Sequence, residues 1–172
     1  MTQTSNTIKQ ISLAGVLSAL GIILGLTGMI TIFGSNIYLC GIVIFLTPFV
    51  LKLPYAIISS SVIIVMSDLI TGWIAWTWIS LLAYLVPVLL IGLLFHFKKS
   101  KEFISKNSPT YFGILMISGA YAILIFFVMS LVVFDYSYAF SSIIGNVVQY
   151  TIVAIATYLV YLAIKKHNLG IM

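Results

Sequence analysis

Charge is what this chain of 172 residues has least of: 6% of it is charged and 62% hydrophobic, with eight basic residues, all lysine, and three acidic ones. Soluble domains carry charge on about a quarter of their residues, so the composition excludes a fold solvated by water and requires lipid. Cysteine is almost absent. Cys40 stands alone, which excludes an intrachain disulfide and a cysteine-built metal site and leaves a small buried hydrophobe. Catalytic signatures are missing as well: the sequence has no paired-histidine zinc motif, no glycine-flanked nucleophile elbow and no phosphate-cradling loop, so no metal, no cofactor and no ATPase site is expected in this chain, and no enzyme. His96 and His167 read as interfacial residues rather than ligands or proton relays.

What the chain has instead is long apolar runs. Crossing a hydrocarbon core of roughly 30 Å takes about 20 residues of helix, and in lipid only helices or closed barrels satisfy every backbone amide. The runs lack barrel-like alternation, so an all-α integral membrane protein is expected: a six-transmembrane-helix bundle forming one domain over residues 1–172. The helices are expected at about 11–31, 35–51, 54–71, 76–97, 111–134 and 139–164, with the Lys98–Lys106 stretch as a polar loop. The first run follows a polar stretch without a small-residue cleavage signal, so it reads as a retained helix. With an N-terminus inside, all eight lysines fall on the cytoplasmic side and Asp68 and Asp135 fall outside. The positive-inside rule therefore predicts both termini in the cytoplasm. The net charge of +5 reports topology and calls for no nucleic acid; a basic inner face also suits anionic lipid.

Three constellations carry functional meaning. Ala14, Ser18, Gly21 and Gly25 line one helical face of the first run, with Gly15 and Ala19 beside it; small residues at this spacing let a second helix approach closely, either inside the bundle or as a dock for another subunit. Ser142, Asn146, Gln149 and Tyr150 share a face in the outer half of the last helix, where amides need an interhelical partner or a wet cavity. Trp76, Ser80 and Tyr84 share a face of the fourth, flanked by Trp73 and Trp78. An interfacial belt accounts for a single tryptophan, whereas aromatic walls with a few amides and hydroxyls make a small-molecule pocket. Asp68, near this cluster, either binds a substrate hydroxyl or ammonium or caps its helix. Asn36 and Tyr38 in the first outer loop, and Asp135, Tyr136 and Tyr138 in the last, are placed to close over such a pocket. Carboxylates and basic residues are missing from the deep parts of the helices, which disfavours ion-coupled transport.

The size, the six expected helices, the Leu13-Ala14-Gly15-Val16-Leu17-Ser18-Ala19-Leu20 stretch and the Ser67-Asp68-Leu69 end of the third helix followed by aromatics together resemble the substrate-binding S component of an energy-coupling-factor (ECF) transporter, a bacterial ATP-driven vitamin importer. The family pattern Ala-x-x-x-Ala appears here as Ala14 with Ser18 and Gly15 with Ala19. The resemblance implies a chain of the bacterial cytoplasmic membrane that binds a vitamin or precursor. A transmembrane coupling (T) subunit and two cytoplasmic ATP-binding subunits then supply the work. It also implies docking through the small residues of the first helix, delivery by toppling in the membrane, and a first outer loop that gates the pocket.

Substrate-binding residues are then expected at Asn36, Tyr38, Asp68, Trp73, Trp76, Trp78, Ser80, Tyr84, Asn146, Gln149 and Tyr150, and docking residues at Ala14, Gly15, Ser18, Ala19, Gly21 and Gly25. Tryptophans for stacking and amides for reading ring nitrogens point to a small aromatic heterocycle. Among the family's substrates hydroxymethylpyrimidine or pyridoxine fits best, with pantothenate and riboflavin open; an anion such as pantothenate normally asks for a cation, and no lysine is expected outside. A self-sufficient facilitator, which needs a continuous polar path, and a structural subunit, which needs no pocket, are the rival classes.

Overall fold

The computed structural model describes residues 3–28, 30–32 and 35–166. Seven helices account for nearly all of them: α1 (Gln3–Thr27), α2 (Cys40–Val50), α3 (Leu53–Thr71), α4 (Thr77–His96), α5 (Lys98–Lys106), α6 (Ser108–Val133) and α7 (Tyr136–Lys166). A two-stranded antiparallel hairpin, β1 (Ile30–Ile32) with β2 (Ser35–Ile37), joins α1 to α2, and a 3-10 turn at Ile74–Trp76 leads into α4. Five helices are long and apolar enough to cross a membrane, and α2 is a shorter apolar one.

Three expectations about these elements need correction. The first helix ends at Thr27, not at 31, and the second starts at Cys40, not at 35. Between them the β-branched Ile30-Thr31-Ile32 favours extended backbone, and residues 30–32 pair with 35–37. With 11 residues, α2 rises only about 16 Å, roughly half a hydrocarbon core. The Lys98–Lys106 stretch is a helix rather than a loop; it buries Ile104 while Phe103 and Lys106 stay exposed, as an amphipathic helix at an interface does.

Short as it is, α2 is the centre of the bundle. It packs against α1, α3, α4 and α7, and nine of its residues are buried. Pro48 sits inside it and removes one backbone donor. Side chains occupy the carbonyls near that break: Thr47 Oγ1 donates to Ile44 O at 2.8 Å, and Tyr111 Oη, reaching from α6, donates to Phe45 O at 2.8 Å. Thr47 also shares a 2.8 Å contact with Ser60 Oγ of α3. Tyr111 is fully buried, so Tyr111→Phe leaves the Phe45 carbonyl short of a donor. A loss of about 1–2 kcal/mol in unfolding free energy is expected, measurable as a lowered melting temperature in detergent.

Around this point the rings of Phe49, Phe95, Tyr111 and Tyr161 interlock, with centroids 4.4 Å apart for Tyr111–Tyr161, 4.8 Å for Phe49–Tyr161 and 5.5 Å for Phe49–Phe95. They plug the half of the bundle nearer the lysines. That half is defined by contacts between helix ends: Lys52 N donates to Gln10 Oε1 at 2.8 Å, Lys165 Nζ donates to Ser108 Oγ, and α5 packs against α4 and α6. The start of α1, the α2–α3 turn, α5 and the end of α7 therefore share one end. Asp68, in the last turn of α3, and Asp135, on the α6–α7 connection, lie at the other.

The α1–α3 seam divides the small residues of α1 into two faces. Ser18 Oγ lies 2.9 Å from Ser59 Oγ, Ser59 Oγ reaches Ala14 O at 3.3 Å, and a Cβ on Gly21 or Gly25 would meet Ile63 or Ser67 at 2.6 or 2.5 Å. Ala14, Ser18, Gly21 and Gly25 are thus packing residues against α3, not a free docking surface. Gly15 and Ala19 are exposed, and a Cβ on Gly15 meets nothing.

Candidate functional site

A cavity of about 500 Å³ opens at the aspartate-bearing end. Four helices contribute residues at helical spacing: Ile64, Ser67 and Asp68 from α3, Ser80 and Tyr84 from α4, Phe126 and Ser130 from α6, and Ser142, Asn146 and Gln149 from α7. Tyr38, Cys40 and Ile44 close it from the hairpin side and α2. Its depth comes from the shortness of α2, which leaves the outer part of the bundle centre without a central helix.

The polar groups are held by one another. Gln149 Nε2 donates to Tyr84 Oη at 3.0 Å, both residues being buried. The Tyr84 ring is clamped between Phe45 at 5.8 Å and Tyr150 at 5.7 Å. Asp68 faces the hydroxyls of Ser80 and Thr77, while its Oδ2 is buried with no hydrogen-bond partner among the described residues. The carboxylate lies in the last turn of α3, which Gly72 ends in the left-handed conformation at φ 82°. There Gly72 N donates to Leu69 O and Trp73 N to Asp68 O at 2.8 Å, a Schellman pair that only glycine forms without strain. This tight stop turns Trp73 and Trp76 over the mouth.

Trp76 is the hinge of the aromatic rim. Its indole stacks on Phe134 with centroids 5.0 Å apart and planes 12° from parallel, with Tyr138 at 6.1 Å and Phe126 at 6.4 Å. The rim so joins the α3–α4 connection to the α6–α7 turn. Asp135 shapes that turn by accepting Tyr138 N on Oδ1 at 2.7 Å and Ala139 N on its carbonyl at 3.1 Å, which caps α7.

The family model described as ECF-type riboflavin transporter, S component, matches residues 5–166. The chain belongs to that family. It is therefore a multi-pass membrane transport subunit, of a kind that works with the T and ATP-binding components of an ECF transporter. No curated protein and no solved structure matches the chain.

Within this S component the structure gathers Tyr38, Asp68, Trp73, Trp76, Ser80, Tyr84, Asn146 and Gln149 around one cavity. Tyr150 is buried behind the wall, against Tyr84 and Gly119. Trp78 is 48% exposed and does not line the cavity. The side chain of Asn36 lies outside the described residues. Sequence reasoning passed over Phe126, Ser130 and Ser141, and it left Cys40 as filler although it lines the cavity. A serine four residues beyond Phe126, alone in the apolar run from Ala122 to Val133, is the signal that was there to be used.

Proposed function

We propose that this S component captures a small aromatic heterocyclic vitamin or precursor from outside, with hydroxymethylpyrimidine or pyridoxine the favoured substrates. The carrying observation is the composition of the cavity: two indoles at its rim, amides and hydroxyls on its walls and, among the described residues, a single charged group, Asp68. A carboxylate with an unpartnered oxygen suits a basic ring nitrogen or an amino or hydroxymethyl donor, which both favoured substrates carry. It does not suit pantothenate, an anion. Riboflavin is the second reading; the family description names it, and about 500 Å³ is roomy for a single ring.

In this reading the hairpin and α2 together make the second of six crossings, the lysine end is cytoplasmic with both termini inside, and the membrane is the bacterial cytoplasmic one. The T subunit docks on the exposed Gly15–Ala19 face. Two cytoplasmic ATP-binding subunits drive a toppling motion that carries the filled cavity inward, and this chain itself holds no cofactor. The plug of Phe49, Phe95, Tyr111 and Tyr161 argues against a self-sufficient facilitator, because it interrupts any polar path. An empty space of this size in a purely structural subunit would cost stability without return.

The test is thermal stabilisation of the detergent-purified protein by a panel of water-soluble vitamins. A ligand at a hundred times its dissociation constant adds roughly 2.7 kcal/mol, several degrees of shift. Stabilisation by hydroxymethylpyrimidine or pyridoxine supports the first reading and by riboflavin the second. Indifference to every vitamin and precursor sinks both and leaves a structural subunit.

A further inference from the structure

We propose that the open groove between α4, α5 and α6 binds one anionic phospholipid, with an acyl chain on its apolar floor and the phosphate among the lysines at its mouth. The groove lies at the lysine end, apart from the vitamin cavity. It measures about 420 Å³ and is lined by Leu94 of α4, by Ser100, Phe103 and Ile104 of α5, and by Thr110 and Ile114 of α6.

A helix of nine residues is too short to hold itself together in water, so the apolar face of α5 has to be covered. The protein covers little of it. Among the described side chains of α5 only Ile104 is buried, and Phe103 is 58% exposed. One turn deeper in the bundle than Leu94 and Ile114, Leu90 and Ile117 are exposed too, so an apolar track leads from the groove toward the membrane centre. An acyl chain fits that track, and a free phosphate has no use for it.

The mouth supplies the charge. α5 carries Lys98, Lys99, Lys101 and Lys106 against one acidic residue, Glu102, and by helical register Lys99 and Lys101 stand on either side of the face that bears Ser100, Phe103 and Ile104. Lys165 Nζ donates to Ser108 Oγ at the first residue of α6, two positions before Thr110 of the groove wall. α6 begins there without a side-chain cap and adds the positive end of its dipole. Basic pockets between helices at a membrane surface hold anionic headgroups in this way. The groove also belongs to a different part of the bundle from the proposed dock, since α1 packs on α2 and α3 while α5 packs on α4 and α6. Lipid is therefore its occupant, not the T subunit.

The test uses the whole protein purified in uncharged detergent, with phosphatidylglycerol or phosphatidylcholine of equal chain length added and bound lipid counted by native mass spectrometry. Phosphatidylglycerol is expected to be retained at least about tenfold more strongly, and the preference should shrink as salt is raised. The triple variant Lys99→Gln, Lys101→Gln, Lys106→Gln should bring the preference down to about threefold or less. Phe103→Asn, at an exposed position, tests the acyl contact and should weaken retention of both lipids by about fivefold. Equal retention of the two lipids by the unaltered protein, a preference unmoved in the triple variant, or retention unmoved by Phe103→Asn each overturns the proposal. Displacement of phosphatidylglycerol by millimolar inorganic phosphate overturns it in favour of a free-anion site. Loss of the coupling subunits from the triple variant with bound lipid unchanged overturns it in favour of a protein partner. Vitamin binding plays no part in these readouts, so the reading of the cavity stands or falls separately.

Discussion

Leucine at Gly21 is expected to cost the fold at least about 3 kcal/mol, whereas leucine at Gly15 leaves the fold intact and stops uptake. The contrast follows from the two faces of α1. A Cβ on Gly21 would lie 2.6, 2.7 and 2.9 Å from Cδ1, Cγ1 and Cγ2 of Ile63. Ile63 is fully buried in the core cluster, and as a β-branched residue it has no second rotamer to retreat to. The seam must then open, and with it go the Ser18–Ser59 and Ser59–Ala14 contacts, which in lipid replace the missing hydrophobic drive between helices. Gly15 has no neighbour within reach of a Cβ, and leucine is the better helix former by somewhat under 1 kcal/mol. On the proposed docking face, however, the added side chain holds the T subunit off. The measurement is paired: melting temperature and vitamin binding of each purified variant, then vitamin uptake and co-purification with the coupling subunits in cells. Uptake at the normal rate with Gly15→Leu would remove this face from the docking interface.

How far the fold can be read from residues depends on how local its causes are. Leu53 to Thr71 is legible to the residue or nearly so, since Pro54 starts it and Gly72 stops it by backbone chemistry alone. The segregation of lysines to one end is equally legible, because topology and charge are linked by rule. The hairpin at 30–37 is not. Gly34, Ser35 and Asn36 mark a break in the apolar run, but only three-residue strands pair there, too short for an alternation to register. The Lys98–Lys106 helix escapes for a different reason: lysine-rich stretches read as loop, and the single buried Ile104 that pins it between α4 and α6 becomes visible only once those helices are placed.

The site divides the same way. Asp68, the α4 aromatics and the α7 amides announce themselves because polar or amphipathic groups in lipid need a reason. Phase is another matter. The two-to-three-residue spacing of Trp73, Trp76 and Trp78 does not say which indoles share a side; the 3-10 turn at Ile74–Trp76 decides it, putting Trp73 and Trp76 over the cavity and Trp78 on the exposed surface away from it. The split of the α1 small residues has the same origin. In a membrane both the lipid face and the core face of a helix are apolar, so the usual hydrophobic period that marks the inner face is lost. Phe126 and Ser130 on α6 stay hidden for that reason as well.

Trp76→Ala is expected to weaken binding of the vitamin by about a hundredfold, or close to 3 kcal/mol, with the fold retained. Trp76 contributes in two ways. The indole lines the cavity, where a bound ring would stack on it. It also stacks on Phe134 at 5.0 Å and 12°, so the wall stands in position before the ligand arrives and little side-chain freedom would be lost on binding. Removing the indole takes away the stacking surface and unties the α3–α4 connection from the α6–α7 turn, which then opens the mouth to water. Fold retention follows from location: Trp76 belongs to the rim, and the packed centre around α2 does not include it. Trp78→Ala is the matched control, an indole of equal size exposed away from the cavity, and should shift the dissociation constant by less than about threefold. Phe134→Ala should fall between the two, since it removes the backing and leaves the wall. Titration calorimetry on the three variants separates these effects, and equal losses for Trp76→Ala and Trp78→Ala would mean that the cavity described here is not where the vitamin sits.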